Sequence, residues 1–132
     1  MIQSPGQRFP KTHRLLRHAD FERVYKQGRR HFAAHMTVFY LARVGEAADG
    51  SVGSRVGFTV SKALGGAVQR NRMKRRLREA VRLQGVPAGL NTDIVINPKH
   101  TLLTADFGDL RNEIAKAFVV IEKTLQHKKE KR

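Results

Sequence analysis

The apolar residues of this chain fall into short blocks with two different periods. Between Ala19 and Gln27, Phe21, Val24 and Tyr25 recur at helical spacing, and Gly28 is a natural stop. Met36 to Val44 is rich in β-branched and aromatic residues and predicts a strand. Arg29 to Ala34 either extends it or forms a separate piece. Arg55 to Ser61 predicts a further strand, and the Gly/Ala/Asp/Ser region between the two suggests a hairpin with its tip at Gly50-Ser51. The two strands are therefore expected to pair antiparallel. After Gly65-Gly66 a long helix runs from about Ala67 to Gln84, where Gly85, Pro87 and Gly89 end it. Asp93 to Asn97 is a compact buried strand that Pro98 stops. Asp106 suits the N-cap of a last helix, whose apolar stripe is Phe107, Leu110, Ile114, Ala117, Phe118, Ile121 and Leu125.

These elements predict one domain over residues 14–125, with a flexible basic arm at 1–13 and a basic, frayed tail at 126–132. Helices covering a small mixed sheet make it an α+β sandwich. The length, 132 residues, suits a single core. Cysteine is absent, which excludes a disulfide scaffold, a thiolate metal site and a cysteine nucleophile, and fits a reducing compartment. The first ten residues lack the apolar run of a signal peptide, and no segment approaches the ~20 apolar residues that span a bilayer. A soluble protein with no membrane partner is expected.

Charge changes the picture most. Lys and Arg number 26 against 11 Asp and Glu, a net charge of +15. A polyanion is the default partner of such a chain. The charge is concentrated, with seven basic residues and one acid in the thirteen positions from Arg70 to Arg82. On a helix, Met73, Leu77, Ala80 and Val81 share one face that can pack on a sheet. Asn71, Lys74, Arg75, Arg78 and Arg82 then form an outward arc, and Arg72 and Arg76 lie further round. A solvated face usually mixes signs. Arg70, Lys74, Arg78 and Arg82 instead form an all-positive i,i+4 ladder, unfavourable until an anion neutralises it. Gly65-Gly66 before the helix reads as a strand-to-helix turn, and no G-x-x-x-x-G-K-[ST] loop is present.

The aromatics add a second device. Phe21 and Tyr25 stand four apart on the first helix. Phe39 and Tyr40 are strand neighbours, so they point to opposite faces, and one of them is free to face an open groove where an unpaired base can stack. Catalytic groups are harder to find. His31 and His35, in an extended segment, lie about 13 Å apart, too far to share a metal. Asp20 and Glu22 point apart on a helix. No H-E-x-x-H, G-x-S-x-G or paired carboxylates occur. The residues therefore offer neither a catalytic nor a metal site.

Val60 to Glu79, read as V-S-K-A-L-G-G-A-V-Q-R-N-R-M-K-R-R-L-R-E, resembles the signature of the bacterial ribonuclease P protein component. Asp20 to Gly28 resembles that family's first helix, and the likeness extends over about residues 14–122. The resemblance implies an α-β-β-β-α-β-α order with a left-handed crossover around the basic helix. It implies a subunit of an RNA enzyme that removes the 5′ leader of precursor tRNA with Mg²⁺ held mainly by the RNA. The protein would supply no catalytic group and would be inactive alone. Its partners would be ribonuclease P RNA, in a 1:1 complex, and precursor tRNA, with no small-molecule substrate and a cytoplasmic location. By position, Arg70, Asn71, Arg72, Lys74, Arg75 and Arg78 would face the RNA. Phe21, Tyr25, Tyr40 and Lys62 would form the leader-binding cleft. Ala63 departs from the pattern, which has a second Lys there. Three other readings compete: an RNA-binding ribosomal or chaperone-like protein, a stand-alone nuclease, and a helix-turn-helix DNA binder. The last is disfavoured because the basic helix follows a strand.

Overall fold

The computed structural model of the chain describes residues 17–43, 53–87 and 90–130. The arm at 1–13 and the Gly50-Ser51 turn lie outside these residues. Helix α1 spans His18–Gln27 and is followed at once by strand β1, Arg29–Phe32. Gly28 ends α1, but not as a left-handed stop, for its backbone is extended. Glycine is required there by space. A Cβ would lie 2.4 Å from the Val24 carbonyl oxygen and 2.6 Å from that of Tyr40.

Strand β2, Met36–Ala42, pairs antiparallel with β1 through a tight turn in which the Ala33 amide donates to the Met36 carbonyl, 2.9 Å. Strand β3, Arg55–Phe58, does not pair with β2. The last strand, β4 at Thr92–Pro98, lies between them, antiparallel to β2 and parallel to β3, and the sheet order is β1-β2-β4-β3. The expected β2–β3 hairpin is thus wrong. Consecutive strands are neighbours in most sheets, but not here. Ile94, Val95 and Ile96 form a continuous apolar run, the mark of a strand covered on both faces, which suits the central position.

Helix α2, Ala67–Gln84, connects β3 to β4, and helix α3, Phe107–Glu130, closes the chain. Helix α3 thus runs past the boundary at 125. Asp106 Oδ1 accepts from the Gly108 amide at 3.4 Å, as an N-cap does. The order of elements is the expected α-β-β-β-α-β-α, in an α+β sandwich. Met36, Val38, Tyr40, Val56, Ile94 and Ile96 form one sheet face, packed under α2 and α3. The opposite face holds Phe39, Leu41 and Val95 under α1. The predicted inner face of α2, Met73, Leu77, Ala80 and Val81, is fully buried. Burying each larger side chain there contributes about 1.5–3 kcal/mol. A like-charge i,i+4 pair costs only about 0.2–0.5 kcal/mol, so the apolar face holds this highly charged helix in place.

Candidate nucleic-acid interface

The α1 side of the sheet carries an open groove of about 360 Å³ lined by His18, Phe21, Tyr25 and Thr59. Phe21 and Tyr25 come from successive turns of α1, and Thr59 follows β3. The Tyr25 hydroxyl donates to Asn97 Oδ1 at 3.0 Å, which fixes its ring over β4. The Tyr25 and Phe39 rings meet edge to face, with centroids 4.9 Å apart and planes at 89°. The Arg30 guanidinium lies 5.4 Å from the Phe39 centroid, a cation–π contact.

Tyr40 is not in this groove. It is only 4% exposed and belongs to the core under α2 and α3. Its assignment to the leader-binding cleft is therefore corrected. Phe39, its neighbour on the strand, is the residue that reaches the α1 face. Phe21 and Tyr25 are brought together as expected. Lys62, three residues beyond Thr59, is exposed on a 3-10 turn, Lys62–Leu64, that leads into α2. That turn is held by Ser61, whose hydroxyl accepts from the Ala63 amide at 3.2 Å.

On α2, Asn71, Arg72, Arg75 and Arg78 are exposed, and Arg70 and Lys74 are half-buried. Two other basic residues of the stretch serve the protein itself. Arg76 Nη1 donates to the carbonyls of Leu102, 2.6 Å, and Leu103, 2.9 Å, and Nη2 donates to that of Ala105. It thus satisfies a 3-10 turn ahead of α3. Arg82 Nε donates to Glu79 Oε2 at 3.0 Å. That hydrogen bond holds the Glu79 carboxyl below its ordinary value, against the opposing effect of burial. The last rung of the expected positive ladder is therefore neutralised within the helix. The exposed arc ends at Arg78.

An ion cluster under α1 was not foreseen from the sequence. Asp93 is fully buried and accepts from Arg55 Nε and Nη2, each at 2.9 Å, from Arg23 Nη2 at 3.2 Å, and from Arg43 Nη1. Asp20, also buried, pairs with Arg23 and lies 3.4 Å from Arg55 Nη2. The cluster ties α1 to β2, β3 and β4, and so sets where Phe21 and Tyr25 stand over the sheet. The available signal was the placement of Arg55 and Asp93 at the start of otherwise apolar strand runs. His35 sits in the β1–β2 turn, where its amide donates to Glu113 Oε1 at 2.8 Å and its Nδ1 is 2.7 Å from Thr101 Oγ1. Among the described residues no cluster of His, Asp and Glu is arranged to hold a metal ion, and no helix is long and apolar enough to cross a membrane.

The model of the Ribonuclease P family matches residues 9–122. The ribonuclease P protein component of Desulforapulum autotrophicum is 37% identical over 110 residues, 83% of this chain and 89% of that protein. That of Oleidesulfovibrio alaskensis is 44% identical over 91 residues, 67% of this chain and 68% of its own. Among solved structures, the Staphylococcus aureus RNase P protein superposes with a TM-score of 0.66 at 27% identity, over 84% of this chain and 95% of that one. The Thermotoga maritima RNase P protein gives 0.66 at 27% identity, over 80% and 94%. With a family match along most of its length, relatives 37% and 44% identical, and solved structures of the same fold, this chain belongs to the ribonuclease P protein component family.

Proposed function

We propose that this protein binds the RNA of ribonuclease P through α2 and the single-stranded 5′ leader of precursor tRNA through the α1 groove. The observation that supports this most is the connection between the two surfaces. Thr59 lines the groove, and the chain passes from it through exposed Lys62 directly into the exposed cations of α2. Arg70, Asn71, Arg72, Lys74, Arg75 and Arg78 meet phosphates and riboses of the catalytic RNA, with arginines able to grip a phosphate through two parallel bonds. Phe21, Tyr25 and Phe39 offer ring faces to unpaired bases with little sequence preference, and Lys62 meets the leader backbone. Mg²⁺ is held mainly by the RNA, which also carries the catalytic groups. The protein lowers the repulsion between two large polyanions, in a 1:1 complex in the cytoplasm.

The test is reconstitution. Added to ribonuclease P RNA at low Mg²⁺, the purified protein is expected to restore cleavage of precursor tRNA, and without the RNA it is expected to cleave nothing. Failure to stimulate would favour an RNA-binding role unconnected with this enzyme. Cleavage by protein rigorously freed of RNA would place the catalytic groups in this chain.

A further inference from the structure

Among the described residues four large apolar side chains stand exposed, Phe32, Val68, Leu83 and Val119, and only the first is aromatic. Phe32, on edge strand β1, is 68% exposed. Its position is defined by the register of the sheet. Phe32 faces Thr37, and Thr37 faces Asn97 on β4. Residues paired in this way share a face. Asn97 is the residue that holds the Tyr25 hydroxyl, so this is the α1 face. On the far side of β4, Thr59 continues the same level, its amide donating to the Ile96 carbonyl at 3.1 Å. Thr59, just past the end of β3, and Asn97, Thr37 and Phe32 on the other three strands thus form a row across the sheet. At the spacing of neighbouring strands the row is about 14 Å long.

The row has the chemistry of a nucleic-acid track. It starts in the groove, at Thr59 and beneath Tyr25. Its floor offers two hydroxyls and an amide. Its far end is a bare ring between two cations. Arg30 stands two residues before Phe32 on the same face, over Phe39. Lys99 donates to the carbonyl of Ala33, the residue after Phe32, at 2.8 Å. An exposed ring flanked by positive charge suits an unpaired base with its phosphates on either side.

We propose that Phe32 is a second stacking site for single-stranded RNA, which leaves the groove, crosses Asn97 and Thr37, and ends on the β1 edge between Arg30 and Lys99. The inference rests on the leader-binding reading above and adds the direction and reach of the strand. It makes Phe32 a residue that senses leader length. Because Phe32 is so exposed, replacing it does not threaten the core.

The test uses the assembled protein–RNA enzyme and precursor tRNAs whose leaders are lengthened one nucleotide at a time. For the unaltered protein, affinity is expected to keep rising until the leader reaches Phe32. For Phe32→Ala the rise should stop earlier, leaving long leaders roughly fivefold weaker, the lower end of the value of one base stack. Short leaders and mature tRNA should be unaffected, and Phe32→Trp should restore the gain. Phe39→Ala, beside the groove against the Tyr25 ring, serves as the control. If Phe39→Ala weakens precursor binding while Phe32→Ala changes nothing, or changes all lengths equally, the second site is refuted and the groove stands. If neither variant distinguishes precursor from mature tRNA, the leader reading falls and this inference with it. Sedimentation of the free protein covers the rival occupant. A dimer that Phe32→Ala abolishes would give the ring to a second copy of the chain and overturn the proposal.

Discussion

At Phe39 and Tyr40 a single step along a strand decides between the face proposed to meet the leader and the core under α2 and α3. Tyr40→Ala is expected to cost about 3–5 kcal/mol, the range for emptying an aromatic site in a core, measured by denaturant unfolding. Phe39→Ala should cost less stability and instead remove the preference for precursor over mature tRNA. The reverse pattern would mean that the two faces have been exchanged. Sequence alone does not settle this choice, because β2 is apolar on both sides. Met36, Val38 and Tyr40 serve one layer and Phe39 and Leu41 the other, so alternation is present but carries no label. The ion cluster was hidden for a related reason, since its partners come from four separate elements. Asp93→Asn should cost about 3–5 kcal/mol, as expected when one partner of a buried charge set is removed. An unchanged unfolding midpoint would show that the arginines find other acceptors.

Elements whose signals are local were legible, while those that depend on distant partners were not. Helix α2 could be read to its ends because glycines bracket it and its buried face follows the 3.6 period. What no helical projection shows is that Arg76 turns toward carbonyls 26 to 29 residues away. This difference is measurable. Arg72→Ala and Arg75→Ala should each flatten the log–log dependence of RNA affinity on salt by about 0.7–0.9, the loss of one phosphate contact. Arg76→Ala should leave that slope alone and lower thermal stability by unsatisfying the turn before α3. Equal slopes for all three variants would make Arg72 and Arg75 spectators. The strand order was missed because the pairing of β3 with β4 is not a local property. The hint was β4 itself, whose unbroken apolar run belongs in the middle of a sheet.

For the molecule as a whole, the net charge of +15 is a burden until RNA arrives. Self-repulsion destabilises a compact chain, and salt relieves it as the screening length falls from about 30 Å at 0.01 M to about 8 Å at 0.15 M. The melting temperature of the free protein is therefore expected to rise with salt, and to rise further with bound RNA by mass action. A melting temperature indifferent to both would mean that the charge is already balanced within the fold. The insertion of β4 between β2 and β3 has a consequence for how the protein is made. As the chain leaves the ribosome, β2 and β3 emerge first and have no partner in common until Pro98 has followed. The floor of the groove and the seat of the basic helix both need β4. Neither of the two surfaces proposed to meet RNA can be completed during synthesis before the other, so on that reading a half-made chain has no finished grip on the RNA around it.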